Sequence, residues 1–61
     1  MNQDIKILSL MSSFASALEF HLYKGVSIEN ALITEGEHLI YCTTIEQYKR
    51  EVDAIIIEDI L

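Results

Sequence analysis

The stretch "VSIENALITEGEHLIYCTT", Val26 to Thr44, decides the fold, because it reads both as a hairpin and as a helix. Two runs of equal length, "ENALIT" and "EHLIYC", flank Glu35-Gly36. A glycine at the second loop position permits the positive φ of a type I′ turn. On a strand, Asn30, Leu32 and Thr34 share one face and Ala31 and Ile33 the other; Leu39 and Tyr41 oppose Ile40 and Cys42. The alternative makes Ser27 an N-cap, residues 28–35 a short helix and Gly36 its C′ residue. The hairpin is the expectation.

Upstream, Ile7, Met11, Phe14, Leu18 and Leu22 fall at i, i+4, i+7, i+11 and i+15, while Ser9, Ser12, Ser13, Ser16 and Glu19 fall on the other side. That spacing predicts an amphipathic helix from about Asp4 to Lys24. Lys24, Gly25 and Val26 supply a basic last turn, a C′ glycine and an apolar C″ residue, the parts of a Schellman stop. A hairpin competes, since "ALEFHLYK" alternates, but "SSFAS" lacks the turn residues a tight loop needs. A secretion leader is disfavoured too. The run "ILSLMSSFASAL" is broken by serines, and the single lysine before it is offset by Asp4. No apolar run approaches the ~18 residues of a membrane span.

Downstream, Thr44 followed by Gln47 three residues later is a capping box, so a second helix starts at Ile45 with Ile45, Tyr48 and Val52 turned inward. "AIIIEDIL", with three consecutive isoleucines, reads as a strand. The competing reading continues the helix, because Val52, Ile56 and Ile60 prolong its stripe. The expected architecture is a single small α+β domain over residues 1–61. It has a long N-terminal helix, a β-hairpin, a second helix and a C-terminal strand.

A 61-residue chain buries only ~60% of the surface its unfolded form exposes, so a lone core is marginal. One cysteine, Cys42, allows no internal disulfide, and His21 and His38 are the only imidazoles. Too few soft donors are present for a four-ligand Cys/His metal site. No spacing places a nucleophile beside a base. Catalytic, metal and cofactor residues are therefore not assigned, and no cofactor is expected. Oligomerisation is the remaining source of stability, and the 51% hydrophobic content agrees with a homodimer or larger assembly.

The net charge of −6 is unevenly placed. Residues 1–25 hold Asp4 and Glu19 against Lys6 and Lys24 and sum to zero. Residues 26–61 hold eight acids against Lys49 and Arg50, which gives the whole −6. Direct nucleic-acid binding is disfavoured, since phosphate neutralisation needs clustered cations. A basic host enzyme or regulator is the expected protein partner, with no membrane contact. Glu29, Glu35, Glu37, Glu58 and Asp59 are the candidate partner-binding acids, able to imitate spaced phosphates if they share an edge. Ile7, Met11, Phe14, Leu18 and Leu22 are the candidate self-association stripe. His38, between Glu35 and Glu37, is the candidate pH-responsive group. His21 reads as a packing residue, and Cys42, beside Ile40 and Tyr41, as a buried thiol suited to a reducing cytoplasm.

Four stretches resemble the small acidic inhibitors of uracil-DNA glycosylase made by some phages. "DIKIL" (4–8) is similar to their opening strand and "YKGVSI" (23–28) to their strand–helix junction. Gly36 falls at the spacing of a glycine that ends their first helix, and "AIIIEDIL" (54–61) is similar to their closing strand. The resemblance implies a phage-encoded DNA mimic, a dimer whose groove grips the glycosylase's DNA-inserting loop. The places of that family's gripping residues hold Ala31, Leu32 and Glu35, so no gripping residue carries over. The functional expectation is a non-enzymatic, cytoplasmic, acidic inhibitor or modulator that occludes a host nucleic-acid-binding protein. The alternative is a structural or regulatory homo-oligomer without DNA mimicry.

Overall fold

A computed structural model describes residues 2–60 and shows three helices: α1 (Asn2–Tyr23), α2 (Ile28–Tyr41) and α3 (Ile45–Ile60). No strand occurs among the described residues, so the α+β expectation is corrected to an all-α domain. The chain runs up, down and up through short turns. The end of α1, the start of α2 and the end of α3 therefore lie together, and Lys24 reaches Asp59 there.

The hairpin expected over 26–44 is instead α2, which passes straight through Gly36. Among the described residues the only one with positive φ is Gly25, at φ 89°, so Gly36 makes no turn. The reason is the identity of the inward stripe. Ala31, Glu35, His38, Leu39 and Cys42 recur at helical spacing and all face the other helices, Ala31 and Glu35 being buried. A charged residue inside that stripe hides its period from any reading that treats Glu35 as solvent-facing. Ser27 caps α2, its Oγ accepting from the Asn30 N–H at 3.2 Å.

The C-terminal strand is likewise corrected, because α3 runs on to Ile60. Tyr48, Val52 and Ile56 lie one turn apart and pack together, with no glycine or proline between them to stop propagation. Once Thr44 nucleates the helix, the weak strand preference of Ile55–Ile57 does not interrupt it. At the start of α3 the Gln47 N–H donates to Thr44 Oγ1 at 3.0 Å, and Gln47 Oε1 accepts from the Thr43 N–H at 3.1 Å. The return bond thus falls one residue before the cap.

α1 covers the stretch that periodicity assigns to a helix, and its stop is as expected. The Val26 N–H donates to the His21 carbonyl at 2.9 Å and the Gly25 N–H to the Leu22 carbonyl at 3.0 Å, the paired bonds of a Schellman motif. The core is small. Ala17, Tyr48 and Val52 are buried, and Leu10, Phe14, Leu39, Cys42 and Ile56 pack around them. Phe14 stacks on Tyr48 with ring centroids 6.5 Å apart. At ~33 Å, α1 is longer than α2 or α3 can cover. Its first half is left open, and Ile5, Ile7, Leu8 and Met11 are all exposed.

Candidate functional site

All three helices converge on one carboxylate. Glu35, on α2, is only 6% exposed. Its Oε1 accepts from the Tyr48 hydroxyl of α3 at 2.9 Å, and its Oε2 lies 2.7 Å from His21 Nε2 of α1. His38, one turn further along α2, places Nδ1 3.5 Å from Glu35 Oε1 and Nε2 2.8 Å from Glu51 Oε1 on α3. Gln47 donates to the other oxygen of Glu51 at 2.8 Å. Helix spacing makes this possible: Glu35 and His38 are i and i+3, Gln47 and Glu51 are i and i+4. Among the described residues no buried side-chain nitrogen or oxygen lacks a partner.

The electrostatics follow the contacts. His38 is held above the usual imidazole value, first by its bond to Glu51 and then by Glu35, with burial opposing. Glu51 is held below the usual carboxylate range by His38 and Gln47. Burial, reinforced by the Glu35 carboxylate, pushes the Tyr48 phenol well up, so its hydroxyl stays a donor. Burial also pushes the Cys42 thiol up, helped by the nearby Glu51 and Glu35 charges.

A cavity of about 290 Å³ opens beside this network, walled mainly by Ala17, Phe20, Val52, Ile55 and Ile56, with His21, Glu35 and His38 at its edge. Both oxygens of Glu35 are already engaged, which leaves it joining helices rather than free to act as a base. The donors of His38, Cys42 and Glu51 lie within 4.8 Å of one another, close enough to share a metal ion.

The candidate residues separate into groups. Glu35 is withdrawn into the core, away from the other partner-binding acids. Glu29, Glu37, Glu58 and Asp59 are exposed. Glu29, Glu58 and Asp59 share the end of the bundle where α1 closes, and Glu37 lies ~12 Å along α2 from Glu29. Of the self-association stripe, Ile7, Met11 and Leu22 are exposed, Leu18 is half-buried, and Phe14 is committed to Tyr48 within the chain. The inward face of α1 is instead Leu10, Phe14, Ala17 and His21, one residue round from the stripe read in sequence. His21 is the packing residue expected of it, now with a named partner.

The sequence reading did not find Glu51, Gln47 and Tyr48 as polar partners. Their only signal is spacing: once α2 and α3 are antiparallel, the turn that holds Glu35 and His38 opposes the turn that holds Tyr48 and Glu51. No protein-family model, curated protein or solved structure matches this chain. No described helix is long and apolar enough to cross a membrane.

Proposed function

We propose that this chain is a non-enzymatic, acidic protein-binding module. It pairs with a second copy through the open half of α1 and presents the acidic surface of the pair to a basic partner. The observation that carries this is the uncovered apolar surface of α1. Ile5, Ile7, Leu8 and Met11 are 53–67% exposed. They continue into a groove of about 370 Å³ lined by Leu10, Met11, Phe14, Ala15, Leu18 and Leu39.

Area favours a second copy as occupant. A compact 7.0 kDa chain exposes ~4,000 Å² by the usual size scaling. This one exposes 4716 Å². The excess is ~700 Å², close to one partner's share of a standard interface. Charge favours it as well. Residues 1–25 are neutral overall and residues 26–61 carry the −6, so two copies meeting through α1 bring no net charge together. The acids Glu29, Glu58 and Asp59 then remain outside the seam at the far end of each bundle. Their field attracts a basic protein, one that handles nucleic acid being the class of matching charge.

The test is affinity capture from lysate with wild-type protein and with a Glu29→Lys/Glu37→Lys/Glu58→Lys variant, at low and moderate salt. The reading expects basic proteins that the wild type retains at low salt and that both the variant and moderate salt release. Capture indifferent to both changes, or no capture at all, would overturn it.

A further inference from the structure

We propose that His38, Cys42 and Glu51 form a binding site for a borderline divalent transition-metal ion of the zinc class, backed by Glu35 and Gln47. His38 and Cys42 are i and i+4, Cys42 being the C-cap residue of α2 whose N–H bonds the His38 carbonyl, so they stand one turn apart. Glu51 faces them from α3, and the three donors already lie within 4.8 Å of one another. A tetrahedral zinc site separates imidazole, thiolate and carboxylate donors by ~3.5 Å, from bonds of ~2.0–2.3 Å. Small side-chain rotations therefore close the site without moving either helix.

The surroundings suit a metal. A metal-bound histidine commonly has its second ring nitrogen held by a carboxylate, which fixes the ring's tautomer and direction. Here Nδ1 of His38 faces the buried Glu35 at 3.5 Å, and Nε2 points to Glu51. Glu35 is itself anchored by Tyr48 and His21, so it does not turn away. Gln47 holds the outer oxygen of Glu51, leaving the inner one directed at His38.

Binding releases the Cys42 thiol proton and the proton His38 shares with Glu51. The thiolate and carboxylate charges then balance the cation. Three protein donors leave one tetrahedral position for water or a further ligand. The mixed nitrogen, sulfur and oxygen set favours zinc or cobalt over magnesium or calcium, which take oxygen. Such an ion would reinforce the His38–Glu51 bond in tying the C-terminal end of α2 to α3 beside the Thr43-Thr44 turn. This site is independent of what the chain docks against.

Cobalt(II) titration of the reduced full-length protein tests it, since thiolate ligation gives a near-ultraviolet charge-transfer band and tetrahedral geometry gives strong visible bands. The expected result is one cobalt per chain, displaced by one equivalent of zinc. Cys42→Ser should abolish the charge-transfer band, and Glu51→Gln and His38→Gln should each weaken binding. Gln47→Ala should lower affinity about 10–100-fold, as for other outer partners. Circular dichroism in chelator checks that each variant is folded, and Glu51→Gln, at a half-exposed position, keeps the test open should His38→Gln unfold. Absence of the thiolate band, or a band of the same strength in Glu51→Gln and Gln47→Ala, would mean no site or an isolated thiol, and would overturn the proposal.

Discussion

The Tyr48 hydroxyl donates to Glu35 Oε1 at 2.9 Å across the α2–α3 interface, and both side chains are buried. A buried carboxylate left without donors is costly, so this bond weighs more than an average surface hydrogen bond. With the His38–Glu51 bond it ties α2 to α3.

Tyr48→Phe keeps the ring stacked on Phe14 and removes only the donor. It should cost about 1–3 kcal/mol of unfolding free energy, measured by urea melts. Glu35→Ala removes the acceptor for Tyr48 and His21 together and opens a cavity. A domain this small should then lose its cooperative transition. A Tyr48→Phe loss near zero would mean that the carboxylate does not organise the core.

The two glycines should respond to alanine with opposite signs. Gly25 sits at φ 89°, where any Cβ is strained, although a Cβ there would meet nothing within 4 Å. Gly25→Ala should destabilise by about 1–2 kcal/mol. Gly36 lies inside α2, and a Cβ there also meets nothing within 4 Å. Gly36→Ala should stabilise by about 0.5–1 kcal/mol. Were Glu35-Gly36 a hairpin turn, Gly36→Ala would destabilise instead, so one pair of thermal melts separates the two folds.

The histidine–acid pair should give an acid-side stability maximum. His38 is raised above its ordinary 6.5 by Glu51 and Glu35, so the folded state gains stability that is full below pH 6.5 and fades as pH rises through the raised value. Glu51 is lowered beneath its ordinary 4.5, so its contribution is full above pH 4.5 and fades as pH falls through the lowered value. Both act fully between pH 4.5 and 6.5. The groups facing His38 are Glu35 on α2, Cys42 at its C-cap, Glu51 and Tyr48 on α3, and, through Glu35, His21 on α1. Melting temperatures in chelator should fall from pH 5.5 to 8.5, and His38→Gln should flatten that fall. An equal fall in both proteins would place the pH response elsewhere.

Local rules were legible and long-range ones were not. The Gly25 stop and the Thr44 start each depend on residues within one turn, and both are present in the structure; α1 is present too, but its inward face lies one residue round from the stripe read in sequence. The α2 helix was obscured because its inward stripe includes Glu35 and His38, polar residues whose burial makes sense only when Tyr48 and His21 arrive from other helices. The C-terminal isoleucines misled for a related reason. Side-chain preference for a strand is weak beside the continuity of a capped helix whose Val52 and Ile56 already face the core. Of the site, His38 was singled out for its acidic neighbours, but Glu35 and Glu51 hold it, not Glu37.

The most direct test of the central claim, a neutral apolar α1 that pairs while the acidic bodies face outward, is sedimentation equilibrium at two salt concentrations. Wild type is compared with Leu8→Glu/Met11→Glu, both positions being exposed and so compatible with the fold. The account expects a wild-type dimer indifferent to salt and a folded monomer in the variant. A monodisperse wild-type monomer, or a dimer that the variant leaves intact, would contradict it.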